Sequence, residues 1–256
     1  MVDTAHAPLL SENERPSVEV LNPGGTGGIV FVCEHASRIL PESLGDLGLS
    51  DAVRAGHWAW DIGAFDVARG MSAAFDAPLV AGRISRLAYD CNRPPSSPTA
   101  IVETAEYDPV PGNRGLSAEQ RGQRVSEVYA PFRAELSRTL DANPGAALVT
   151  VHSFTPVNFG VRREVELGFL HDDDPRLALA MLAAAGEAPR YDTRLNEPYD
   201  AGDGVTHTLR EHALPRGLIN VMIELRSDLI NTPKTAAGAA NYLSGLLRTA
   251  LAEVAP

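Results

Sequence analysis

The chain contains two cysteines in 256 residues, Cys33 and Cys91. A disulfide framework of the secreted type needs more, so the fold has to rest on a hydrophobic core. No apolar stretch is long enough to span a bilayer, and the amino-terminal residues lack the basic-then-apolar order of a signal peptide. The expected location is therefore the cytoplasm. A basic face is missing too. With a net charge of -11, the chain is not expected to bind nucleic acid or an anionic membrane, both of which require clustered positive charge. An anionic small molecule remains a suitable partner only where arginines gather locally. Residues 23–28 are glycine-rich, yet they carry no Gly-Lys-Ser/Thr and precede a strand instead of following one. They read as a connector, not a phosphate cradle.

What is present is a set of three apolar runs, each ending at an ionisable residue. Ile29-Val30-Phe31-Val32-Cys33 leads into Glu34-His35, Ala147-Leu148-Val149-Thr150-Val151 into His152-Ser153, and Leu218-Ile219-Asn220-Val221-Met222-Ile223 into Glu224-Leu225-Arg226. Continuous runs of this kind are expected of strands buried on both faces of a parallel sheet. In open α/β sheets ligands bind beyond the carboxyl ends of such strands. Two histidines and a glutamate delivered to one sheet edge are the parts of a metal-hydrolase site.

The rest of the pattern alternates helices with strands. An edge strand is expected at 17–21, one long helix over 50–75 with Ser50 as its N-cap, and a strand at 77–81. A proline-rich loop covers 83–115. A helix opens at the Ser117–Gln120 capping box and runs to 143. A strand follows at 165–170, then a helix from Asp174-Pro175 to about 186, an irregular or only partly helical stretch over 190–212, and a closing helix from Thr232-Pro233 to about 251. These elements predict a three-layer α/β/α fold with a mainly parallel, mixed sheet. The length suits a single domain, 1–256, with residues 1–20 as an amino-terminal arm.

His35 and His152 are the candidate histidine ligands, since neutral imidazole at a strand end suits zinc. Strand alternation is expected to send Glu34 to the side opposite His35. His57 and Asp61, four apart on the expected helix, share a face. Asp61 can supply the metal carboxylate, with Glu34 the second choice, and His57 a substrate contact. Glu224 is the best general base. In the polar segment 85–94, Arg86 and Arg93 offer planar forks for a carboxylate, and Arg162 and Arg163 could add positive potential. Tyr199, His207 and His212 lie in the irregular stretch that could wall a site. Ser153 lacks a nucleophile elbow, Cys33 reads as a packed apolar residue, and Asp172 to Asp174 reads as helix capping.

Taken together, the segments Cys33-Glu34-His35-Ala36-Ser37 with Pro41, His57-x-x-x-Asp61-Ile62-Gly63-Ala64, Ser85-Arg86-Leu87 through Asp90-Cys91-Asn92-Arg93-Pro94, His152-Ser153-Phe154-Thr155-Pro156, Asn196-Glu197-Pro198-Tyr199 and Ile223-Glu224-Leu225-Arg226-Ser227-Asp228-Leu229 give the chain its kinship. It resembles the N-formylglutamate amidohydrolase (deformylase) family from about 29 to 247. The resemblance implies a phosphorylase/hydrolase-like fold, similar to zinc carboxypeptidases, with one zinc ion per chain. It implies that His35 and His152 hold the metal, that Glu224 activates water, and that Asn92 and Arg93 clamp a substrate carboxylate. Arg86 is expected to be catalytic beside Glu224, assisting by joining the clamp or by meeting transition-state charge. Such relatives place a carboxylate ligand three residues after the first histidine, where this chain has Arg38. The members acting in histidine breakdown carry Pro-His-Ser-Gly where this chain has Glu34-His35-Ala36-Ser37, which marks it as a side branch. The expected activity is hydrolysis of a small anionic N-formyl or N-acyl amino acid, N-formylglutamate foremost. A zinc amidase or carboxypeptidase-like enzyme acting on small peptides or cell-wall fragments is the first alternative, and a non-catalytic binding protein on the same scaffold the second.

Overall fold

The protein was studied as a computed structural model, which describes residues 7–254. The strands in chain order are β1 (Val18–Leu21), β2 (Ile29–Cys33), β3 (Leu79–Gly82), β4 (Thr104–Ala105), β5 (Asp108–Pro109), β6 (Ala147–Phe154), β7 (Val157–Asn158), β8 (Val161–Arg162), β9 (Leu167–Leu170), β10 (Thr193–Leu195) and β11 (Asn220–Arg226). Seven of them form one sheet in the order β1-β3-β2-β6-β11-β9-β10, while β4–β5 and β7–β8 are separate hairpins. The pairs β3–β2, β2–β6, β6–β11 and β9–β10 are parallel, and β1–β3 and β11–β9 antiparallel. The mainly parallel, mixed sheet read from the sequence is therefore present.

Strand alternation sorts the core into two layers. Ile29, Phe31 and Cys33 of β2, Val149 and Val151 of β6, and Val221 and Ile223 of β11 pack against helices α2 (Ala64–Phe75), α5 (Arg176–Glu187) and α6 (Pro233–Val254). Val30, Val32, Leu148 and Met222 face the other way, toward α4 (Ala130–Ala142) and residues 205–213. Each fully buried aliphatic side chain contributes roughly 1.5–3 kcal/mol. By the same alternation His152 and Glu224 fall on the α4 side. They are directly paired across β6 and β11. Among the described residues no helix is long and apolar enough to cross a membrane.

The expected helix over 50–75 is two helices. Short α1 (Asp51–Ala55) follows the Ser50 cap, and α2 starts at Ala64. Glycines bound the gap. Gly56 closes α1 through a bond to the Val53 carbonyl. Gly63 adopts φ +81, where a Cβ would lie 2.2 Å from the Ile230 carbonyl oxygen. Between them the Asp61 N–H is donated to the His35 carbonyl at 3.0 Å, outside any helix. His57 and Asp61 thus share a loop that crosses the end of β2, and the helix-face argument for them does not hold.

Elsewhere the boundaries hold closely. The Ser117 capping box opens α3 (Ala118–Arg124), which continues through a π-helical turn, Val125–Tyr129, into α4. In the amino-terminal arm Leu9 and Leu10 are buried in the α4-side core. Residues 1–6 of that arm lie outside the described residues. The short edge strand β10 sits in the stretch read as irregular.

Candidate metal centre and active site

β2 ends at Cys33. Glu34 and His35 therefore belong to a turn, the alternation that would have separated them no longer applies, and both side chains enter one buried cluster. His35 Nδ1 lies 3.2 Å from Asp61 Oδ2, and its Nε2 lies 2.7 Å from Asp90 Oδ1. His152 repeats the arrangement: its Nδ1 is 3.0 Å from the same Asp61 oxygen, and its Nε2 is 3.1 Å from Glu34 Oε2. That last approach is off the hydrogen-bond line, so the contact is mainly electrostatic. Each ring turns Nδ1 toward Asp61 and Nε2 toward its own carboxylate. The outer carboxylates are fixed in turn. Asp90 accepts from Arg86 Nη2 and the Asn92 N–H, and Glu34 accepts from the Thr208 hydroxyl. Asp61 accepts from Arg86 Nη1 and the Ser153 N–H.

His35, Asp61 and His152 form a buried group that can hold a metal ion. Four ligands at about 2.0–2.1 Å from a tetrahedral ion lie about 3.3 Å apart, close to the two nitrogen–oxygen separations seen here. Charge points the same way. Three buried carboxylates, Glu34, Asp61 and Asp90, face one guanidinium, Arg86. Two negative charges are left over. Two imidazoliums can meet them, and so can a divalent cation between neutral rings. Burial alone would push Asp61 up, but His35, His152 and Arg86 together hold it well below the carboxylate range. Burial likewise opposes charge on His152, and the Glu34 and Asp61 carboxylates raise it well above the ordinary value. Glu34 stands behind His152, on the ring edge away from Asp61, so the geometry favours Asp61 as the ligand carboxylate.

Glu224 stands beside this group. Its carboxyl is buried and Oε2 has no hydrogen-bond partner. Burial, with the Asp61 charge, outweighs the pull of His152 and lifts its pKa to about 7. Arg226 binds Glu166 and Asp228 and does not neutralise it. His57 Nδ1 is also buried without a partner, 3.8 Å from Asp61 Oδ1. Burial lowers its pKa to about 4, so the ring is neutral. These unmet atoms border a cavity of about 260 Å³ lined also by Arg86, Asn92, Arg93, Glu106, Asn158 and Tyr199.

Arg93 donates to the carbonyls of Asn92 and Gly204 and to the Thr99 hydroxyl. All are neutral, and among the described residues no carboxylate lies within ion-pair distance of it, although its charge helps to lower the Asp90 pKa. Asn92 differs from the expected clamp. Its amide donates to the Val205 carbonyl and accepts the Thr208 N–H, so it chiefly ties residues 205–208 to the site. Tyr199 accepts a hydrogen bond from Arg163 Nη2 at 2.9 Å, which leaves its own proton to donate into the cavity. Arg163 is sandwiched, 4.8 Å from the Tyr199 ring and 5.4 Å from that of Phe154.

The model of the family described as N-formylglutamate amidohydrolase matches residues 27–231. The chain belongs to this family. A crystal structure of gene product Atu2144 from Agrobacterium tumefaciens has 48% identity, covers 97% of this chain and 100% of that one, and superposes with a TM-score of 0.94. The structure of N-formylglutamate amidohydrolase from Ralstonia eutropha JMP134 covers 91% of this chain and 97% of that one, at 18% identity and a TM-score of 0.67. That likeness establishes the shared fold alone. No curated protein matches the chain.

Other residues singled out by sequence take structural places. The Ser153 hydroxyl donates to the Ile62 carbonyl. His207 pairs with the Tyr129 hydroxyl and His212 with Ser137. Asp174 binds Arg176, whereas Asp172 accepts from Thr206 and Arg210 instead of capping α5. Asp90 and Thr208 were missed as parts of the site. Asp90 lay inside the polar segment already marked, but nothing local paired Thr208 with Glu34, 174 positions away.

Proposed function

We propose that the protein hydrolyses the amide bond of an N-formyl or N-acyl amino acid with one zinc ion held by His35, Asp61 and His152. The name of the Ralstonia relative makes N-formylglutamate, which would yield formate and glutamate, the reference compound. The observation that carries the reading is the buried, unpartnered Glu224 carboxyl beside a cluster short of two positive charges. A divalent ion there supplies Lewis acidity toward the acyl oxygen and a nucleophilic water.

The protein's own groups account for the remaining roles. Asp90 and Glu34 orient the two rings from behind, as carboxylates commonly do for ligand histidines. Glu224, with a pKa of about 7, accepts the proton of the attacking water and delivers it to the leaving nitrogen. Arg93 binds the substrate carboxylate through a guanidinium that meets only neutral oxygens in the protein. The Tyr199 hydroxyl and neutral His57 offer hydrogen bonds to the acyl amide. Arg86 is committed to Asp61 and Asp90, so its charge steadies the cluster. A cavity of about 260 Å³, below the range of about 300–1,000 Å³ usual for drug-sized ligands, suits a single amino acid better than a peptide. The test is amine and formate release by zinc-loaded protein across a panel of N-acyl amino acids. A protein with stoichiometric zinc that cleaves none of them would refute the proposal.

A further inference from the structure

The cavity holds two guanidiniums, and only one is available. Arg86 gives one terminal nitrogen to Asp61 and the other to Asp90. Arg93 meets neutral oxygens alone. His57 Nδ1 is turned to the inner cluster, 3.8 Å from Asp61 Oδ1. Arg163 stands behind the wall, with its terminal nitrogens given to the Thr155 carbonyl and the Tyr199 hydroxyl.

The outer wall is acidic. Glu106 and Asp203 both line the cavity. Glu106 is held in place, since its Oε1 accepts the Phe159 N–H at 3.0 Å. That bond joins the β4–β5 hairpin to the β7–β8 hairpin, whose Asn158 also lines the cavity. Asp203 is anchored by the Asp200 N–H at 3.0 Å. Neither acid is within ion-pair distance of a basic side chain among the described residues, so no protein cation is paired with either at the cavity wall.

We propose that the cavity is built for N-acyl amino acids bearing one carboxylate, with a neutral or cationic side chain, and that it discriminates against a second carboxylate such as that of glutamate. The inference rests on the reading of the site as an N-acyl amino acid hydrolase and narrows its substrate class. The α-carboxylate pairs with Arg93. A side-chain carboxylate would then have no free cation and would face Glu106 and Asp203. Like charges sharing a partly solvated cleft disfavour binding on the order of tenfold. The acids thus reject a competitor, while the neutral Asn158 and Thr155 accept an amide or a hydroxyl.

The experiment compares kcat/KM of the zinc-loaded protein for the N-formyl derivatives of glutamate, glutamine, methionine and lysine. The expected result is a value for glutamate about tenfold or more below that for glutamine. In Glu106→Gln the amide oxygen can still accept the Phe159 N–H, so the hairpin tie is kept. This variant should raise the glutamate-to-glutamine ratio at least about threefold, and Asp203→Asn should move it in the same direction. A wild-type protein that cleaves N-formylglutamate fastest, or a ratio unmoved in both variants, would overturn the inference and leave the hydrolase reading standing. Cleavage of no compound at all would instead bring down the hydrolase reading, and this inference with it.

Discussion

The inner and outer walls of the cavity are built on opposite plans. Inside, His35, His152, Asp61, Asp90, Glu34 and Arg86 answer one another through hydrogen bonds, with the Glu34 Oε2–His152 Nε2 approach electrostatic only. Outside, His57, Glu224, Arg93, Glu106 and Asp203 carry unmet atoms or unopposed charge. The inner wall is therefore set before any substrate arrives, as ligands for an ion must be, and the outer wall is completed by what binds. Removing one partner of a buried charged network costs roughly 3–5 kcal/mol. Changes inside should then alter ion retention and stability, and changes outside should alter kinetics.

The largest expected effect tests the boundary between the two. Glu224→Gln should keep the ion and lose about 10²–10⁴-fold in kcat, the usual worth of general acid–base assistance. Loss of the ion in this variant would move Glu224 to the inner wall. Next comes Thr208→Val, which deletes the hydroxyl that holds Glu34. Because partners behind a ligand histidine are commonly worth about 10–100-fold in metal affinity, chelator competition should show a loss of that size, and Thr208→Ser should restore it. Arg93→Lys should raise KM about tenfold with little change in kcat, since a point charge replaces a fork that can make two parallel bonds to a carboxylate. Equal KM values would place the clamp elsewhere.

Smaller effects follow from Glu224 ionisation. A general base with a pKa of about 7 must be deprotonated to act, so kcat/KM should rise with pH through about 7 and then level off. Stability should change in the opposite sense. The folded value lies above the unfolded one, so the stability tied to protonated Glu224 is complete below the ordinary glutamate value of 4.5 and is lost as pH climbs to about 7. In metal-free protein, Glu224→Gln should therefore gain on wild type between those limits by on the order of 3 kcal/mol. Melting temperatures across that range, with no relative gain, would remove the burial argument.

The sequence announces the inner wall better than the outer one. Strands buried on both faces appear as unbroken apolar runs, so the ends bearing His35, His152 and Glu224 could be located without coordinates. The 57–61 loop could not, because helical periodicity continues through Gly56 and Gly63. The break is imposed from outside the segment, by the Ile230 and His35 carbonyls. Strand alternation sends Glu34 to the wrong side because the strand stops one residue before it. The bracing role of Asn92 and the place of Thr208 come from residues more than a hundred positions away. Glu106 and Asp203 sit in turns whose local sequence says nothing about a cavity.

The most direct test of the central claim is the metal content of protein purified without chelator, measured together with that of His152→Ala. The account predicts about one divalent ion per chain in the wild type and a small fraction of that in the variant. Wild-type protein that takes up no divalent ion even when zinc is supplied, or a variant that retains a full complement, would contradict it.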